Sequence, residues 1–163
     1  MKRFDVLSRD LDVFAPHFLE ASAGTGKTFA IEHLVTRQII EGVPIEQILV
    51  VTFTRAATRE LKLRIRRNLV RAKLELLNPT LDYLKAICEK GEAEQAASRI
   101  EAALINYDLA QVYTLHGFCH RVLKEFAFEA DVTLSVSDPD EKEHLVRKGG
   151  FQRLVAHNRF LQT

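Results

Sequence analysis

Cysteine is scarce in this sequence: Cys88 and Cys119 are the only two among 163 residues. Two are too few for a disulfide framework, so reduced thiols are expected. Long apolar runs are missing as well. None approaches the roughly 20 residues that a membrane-crossing helix needs, so no membrane span is expected. The opening residues, MKRFDVLSRDLDVF, carry acids throughout and have no apolar centre of a secretory signal. A cytoplasmic protein is the expectation. Nor is there an excess of one charge. Lys and Arg number 23 against 22 Asp and Glu, a net of +1, so only local clusters bear on partners. No internal repeat and no low-complexity linker is visible.

What is present is ordinary for a soluble chain: 47% hydrophobic and 28% charged residues, at a length that suits one domain over residues 1–163. HFLEAS (17–22) reads as a short strand. KTFAIEHLVTRQIIEG follows with helical spacing, Ile31, Leu34, Val35 and Ile39 on one face, and Gly42 with Pro44 as its stop. QILVVTFT (47–54) is a near-continuous β-branched run, the pattern of a parallel strand buried on both faces. A long helix is predicted over about 55–77, then two shorter helices, LDYLKAICEK and AEQAASRIEAALINY, split by Gly91. AQVYTL reads as a strand, HGFCHRVLKEFAFEA as a helix, VTLSVS as a strand, and PDEKEHLVRKGGFQRLVAHNRF (139–160) as a helix interrupted at Gly149–Gly150. Alternating strands and helices predict an α/β fold with a parallel sheet.

The first strand runs into ASAGTGKT. The phosphate-loop pattern G-x-x-x-x-G-K-[ST] fits the frame Ala21, Ser22, Ala23, Gly24, Thr25, Gly26, Lys27, Thr28, except that alanine replaces the first glycine. Gly24 and Gly26 would let backbone N–H groups turn around phosphate oxygens at a helix N-terminus. Lys27 can reach the β- and γ-phosphates, and the Thr28 hydroxyl suits a nucleotide-borne Mg²⁺. The competing reading is a strand-to-helix turn with a solvated lysine.

Taking about 100° per residue along 55–77, Leu61, Ile65, Leu69, Ala72 and Leu76 form one narrow apolar stripe. Arg55, Arg59, Lys62, Arg66 and Lys73 form a neighbouring cationic one, with only Glu60 and Glu75 opposing it. Such a row can track a phosphate backbone, or it can be a solvated face. Phe53 could stack on a base or fill the core.

LEASAGTGKTF, ILVVTFTRAATRELKLRIR and VYTLHGFCHRVLKEFAFE, in that order over about 19–129, resemble the first, the Ia and the next conserved block of superfamily-1 DNA helicases of the UvrD/Rep kind. Within that family, EASAGTGKTF and HGFC resemble the branch whose members are helicase–nuclease subunits of bacterial recombination. The resemblance implies a P-loop, RecA-like fold. The chain would be an incomplete N-terminal part of helicase domain 1A with a helical insertion: a P-loop region at 17–41, a helical region at about 55–107, and a third motif with its helix at 111–130. It implies ATP and Mg²⁺ at 21–28, with Lys27 and Thr28 catalytic. It also implies contact with single- or double-stranded DNA through Thr52, Phe53, Thr54, Arg55, Arg59, Thr114 and His116. Partners would be other subunits of a helicase–nuclease complex, and no membrane.

That family's acidic Asp-Glu motif, second RecA-like domain, arginine finger and nuclease domain do not occur in the 163 residues. Nor is there a glutamine upstream of the loop to read adenine, the first being Gln38. The expectation is a segment that holds nucleotide but does not unwind or cleave DNA alone, because phosphoryl transfer rests on positioning and charge stabilisation by those groups. Alternatives are a small P-loop nucleotide kinase, which lacks a visible lid here, and a non-catalytic remnant that binds DNA or a partner.

Two further motifs are set aside. His116, Cys119 and His120 have no second cluster to complete a zinc site. SVSDPDEKEH looks like an acidic strand end, but Asp138, Pro139 and Glu141 suit the cap and first turn of a helix.

Overall fold

The computed structural model describes residues 4–20, 22 and 24–127. The strand expected at VTLSVS, the last helix and its Asp138 cap lie outside them. The chain falls into two compact units, Met1–Gly117 and Phe118–Thr163. The second is described only as the continuation of one helix.

The elements run α1 (Lys27–Ile40), β1 (Leu49–Thr52), α2 (Arg55–Glu75), α3 (Asp82–Glu89), α4 (Ala93–Ile105), β2 (Gln111–Thr114) and α5 (Leu115–Ala127), with short 3-10 turns at Ile45–Gln47 and Tyr107–Leu109. Pattern dictates most of this. The stripe of Leu61, Ile65, Leu69, Ala72 and Leu76 is buried along its whole length, so α2 is the central beam of the core. It packs against α1, α4 and both strands. At about 25 cal/mol per Å² of apolar surface removed from water, burying each leucine or isoleucine of that stripe is worth roughly 1.5–3 kcal/mol.

β1 and β2 pair in parallel, Leu49 opposite Gln111 through Thr52 opposite Thr114. A parallel pair needs a crossover, and α2, α3 and α4 supply it. Two expectations are corrected here. Residues 17–20 and Ser22 form no strand: the described sheet has two strands, bonded only to each other. With no ladder partner, the segment is held by side chains instead. The His17 ring bonds the Asp12 carbonyl at 2.7 Å and meets the Phe4 ring edge-on at 5.3 Å. Second, β1 is not buried on both faces. Val50 and Thr52 are half-buried on the side α2 covers, whereas Leu49 and Val51 are exposed.

α1 is buried on more sides than its apolar pattern indicates, because α2, α4 and the N-terminal segment all pack on it. Its buried polar residues are paired off. The buried Arg37 donates to the carbonyls of Val6 (2.8 Å), Ser8 (2.7 Å) and Leu11 (3.0 Å) and lies 5.1 Å over the Tyr83 ring. Gln38 adds a bond to the Val13 carbonyl. Together they strap residues 6–13 onto the helix that starts at the glycine loop. Asn68 on α2 donates to Thr36 Oγ1 (2.9 Å) and to the Glu32 carbonyl (3.3 Å). No buried side-chain N or O among the described residues lacks a partner, as native cores require.

Candidate functional site

The glycine loop enters α1 through two left-handed residues, Gly24 at φ 78° and Gly26 at φ 94°. Only glycine adopts this without strain. A Cβ at either position would meet nothing within 4 Å, so the requirement is conformational and the space around the loop is open. Thr25 Oγ1 donates to the Ser22 carbonyl at 2.7 Å, and Lys27 Nζ reaches the same oxygen at 2.6 Å. Ser22, Thr25 and Lys27 thus meet at one point, with Gly24 and Gly26 between them and Thr28 in the first turn. Ala21 and Ala23 lie outside the described residues. Gly26 caps α1 with no side-chain bond.

The second cluster sits where both strands leave the sheet. Thr52 and Thr114 are register partners at the ends of β1 and β2, so the turns into α2 and α5 are neighbours. Phe53 follows Thr52 and is 88% exposed, which removes the core reading of this side chain. Thr54 caps α2, its hydroxyl accepting from Ala57 N at 3.1 Å. Thr114 does the same for α5, accepting from Gly117 N at 3.1 Å. A Cβ on Gly117 would crowd that hydroxyl at 3.1 Å. Each capping hydroxyl accepts through one lone pair from the helix and donates its own proton to no acceptor among the described residues. Thr52 differs, because its hydroxyl is held inside the turn by Thr58 at 2.6 Å. His116 is exposed in the first turn of α5.

The cations of α2 are not equivalent. Lys73 pairs with Glu101 (3.2 Å), and Arg64 with Glu32 (3.2 Å) and Glu60 (3.3 Å). Arg66 lies 5.6 Å over the Tyr107 ring. Arg55 and Arg59 are exposed and make no ion pair among the described residues. Lys62 and Arg67, further along, make no ion pair among the described residues either, and Arg55 and Arg59 put unneutralised charge at the N-terminal end of α2, beside Phe53. Cations there oppose the helix dipole by about 0.3–1 kcal/mol each. The first turns of α1, α2 and α5 contain no acid, whereas α3 has Asp82 and α4 has Glu94. The three helices that follow the three motifs thus keep N-terminal dipole ends that no acid in the first turn neutralises.

His33, fully buried on α1, was not legible as a polar core residue from sequence. Its ring faces Tyr83 OH at 3.3 Å, Arg71 at 3.4 Å and the Phe29 ring at 4.3 Å. Burial, then the Arg71 and Arg37 charges, push its pKa down to about 4. Burial raises the Tyr83 hydroxyl well above its ordinary value. Among the described residues no His, Cys, Asp and Glu cluster could hold a metal ion directly, and no helix is long and apolar enough to cross a membrane.

Residues 11–161 match the UvrD/REP helicase N-terminal domain. Curated relatives include the RecBCD enzyme subunit RecB of Chlamydia trachomatis serovar D, 44% identical over 134 residues, covering 77% of this chain and 13% of the relative. RecB of Mycolicibacterium smegmatis is 38% identical over 160 residues, covering 96% and 15%. RecB of Escherichia coli K12 is 41% identical over 124 residues, covering 69% and 10%. The chain therefore spans about a tenth to a seventh of the length of these relatives, and the matched region is their helicase-like N-terminal part. The chain belongs to the UvrD/REP helicase N-terminal domain family.

Proposed function

We propose that this chain is the nucleotide-binding and DNA-contacting N-terminal segment of an ATP-dependent helicase–exonuclease subunit that serves double-strand-break repair and recombination. It would work with DNA and with the other subunits of such a complex. One observation carries the reading: the three helices that begin at the three motifs have no acid in their first turns, while the two without motifs do. Such ends attract anions.

At the first end, the donor set fits a nucleotide. The N–H groups around Gly24 and Gly26 and the ammonium of Lys27 would hold the phosphates, with Ser22 and Thr25 shaping the turn. Thr28 would offer its hydroxyl to the Mg²⁺ that accompanies ATP, whose charge helps draw electrons from the phosphoryl group being transferred. At the other two ends, Thr54 and Thr114 have hydroxyl protons to donate to backbone phosphates, Arg55 and Arg59 supply charge, and Phe53 offers a face for a base. His116 can donate beside Thr114. Thr52 positions this edge, since its own hydroxyl is committed to Thr58.

Calorimetric titration with ATP and Mg²⁺ tests the first part. Saturable binding that Lys27→Ala removes supports it. Equal heats from wild type and variant contradict it and would favour a remnant that binds only DNA or a partner.

A further inference from the structure

We propose that the outward face of α2 is a docking surface for an acidic amphipathic helix of a protein partner. Leu63, Val70 and Leu74 are 57%, 45% and 64% exposed and, with Arg66, Arg67 and Arg71, line a shallow groove along the helix. At about 100° per residue the three aliphatic side chains fall within roughly 40° of arc, on the opposite side of the helix from Leu61, Ile65, Leu69, Ala72 and Leu76. α2 thus has two apolar stripes, of which only one serves the core. An aliphatic seam turned to water is a feature of interaction surfaces. Its spacing, one residue then a further seven and four along, is that of a seam that receives a facing helix.

Charge chooses the partner. Arg66 borders the seam on one side, and Arg67 and Arg71 on the other. Arg67 makes no ion pair among the described residues, Arg66 lies over the Tyr107 ring, and Arg71 shares Glu75 at 3.5 Å. The borders are therefore net positive. A helix with leucines along one face and carboxylates on either side would cover the aliphatic side chains and meet the guanidiniums in bidentate geometry. A nucleic acid backbone would satisfy the arginines but leave Leu63, Val70 and Leu74 against phosphate and water. An anionic bilayer takes up helices whose apolar face is about 100° wide or more, much broader than this seam.

The test uses the 163-residue chain and a fluorescent peptide of about five helical turns, with leucines on one face and glutamates flanking them. Companion probes are the same peptide with lysines for glutamates, a single-stranded oligonucleotide, and phosphatidylcholine–phosphatidylserine vesicles. The glutamate peptide should bind, and the Leu63→Ser/Leu74→Ser variant, its far-UV spectrum and melting unchanged, should bind it about tenfold more weakly. Arg67→Glu should weaken the glutamate peptide and strengthen the lysine peptide. That crossover does not depend on the apolar variant folding. The proposal is overturned if the glutamate peptide does not bind, if it binds these variants as it binds wild type, or if the leucine substitutions instead abolish binding of the oligonucleotide or the vesicles.

Discussion

Thr52 and Thr114 face each other across the parallel pair at the last rung of both strands. This single pairing brings together two motifs separated by about sixty residues of sequence, because each strand ends in a turn that opens a helix. The consequence is an edge that gathers Phe53, the Thr54 and Thr114 hydroxyls, His116, and Arg55 and Arg59, which make no ion pair among the described residues.

If that edge contacts DNA, charge and stacking should separate experimentally. In the full-length protein, replacing Arg59 and Lys62 by alanine should flatten the fall of DNA affinity with salt, since fewer counterions are released. Phe53→Ala should weaken binding by roughly 1–3 kcal/mol at every salt concentration and leave the slope nearly unchanged. Fluorescence anisotropy across a salt series reads both. Wild-type affinity and slope in both variants would make the stripe a solvated face.

The loop glycines give a paired test. Gly26→Ala forces a left-handed conformation on a side chain, at a cost of about 1–2 kcal/mol, and should also weaken nucleotide binding. Gly91 has a similar φ of 76° with equally open space, in the turn between α3 and α4. Gly91→Ala should cost comparable stability and leave nucleotide affinity untouched. Thermal melts with and without ATP and Mg²⁺ compare the two.

Arg37 should be the costliest single residue of α1. Arg37→Ala removes the donor to the carbonyls of Val6, Ser8 and Leu11, of which Ser8 keeps only a 3.4 Å bond from Leu11 N, and empties the space over Tyr83. The expected loss is about 2–4 kcal/mol. Arg37→Lys should recover only part of it, since an ammonium cannot reproduce the planar fork. Hydrogen exchange should report faster opening of residues 6–13 in both variants.

His33 makes stability depend on pH. Its folded pKa of about 4 lies below the ordinary 6.5, so the unfolded chain takes up a proton first. Its contribution is complete above about pH 6.5 and is lost progressively as pH falls towards 4, up to about 3 kcal/mol. Urea melts between pH 7 and 5 should show this decline, and His33→Gln should flatten it.

The legible parts of the fold were those set by local periodicity. The stripe on α2 was readable because five aliphatic residues recur at helical spacing, and the two strands because β-branched runs end at turn residues. What escaped depends on non-local partners. His33, Thr36 and Arg37 look like the polar face of α1, and only the strap, Asn68 and Tyr83, distant in sequence, make that face interior. Residues 17–20 have strand-like composition, but a strand exists through its ladder, and the described sheet gives them none. At the candidate site, the motifs nominated the residues. The division of labour among the three threonines was not, because it rests on which hydroxyl each helix and turn engages.

The most direct measurement is a two-dimensional amide NMR spectrum of the chain titrated with ATP and Mg²⁺. Saturable shifts should begin at the amides of Gly24, Gly26, Lys27 and Thr28 and vanish in Lys27→Ala. Shifts that leave those four amides in place, or that persist unchanged in Lys27→Ala, would contradict nucleotide binding at this loop.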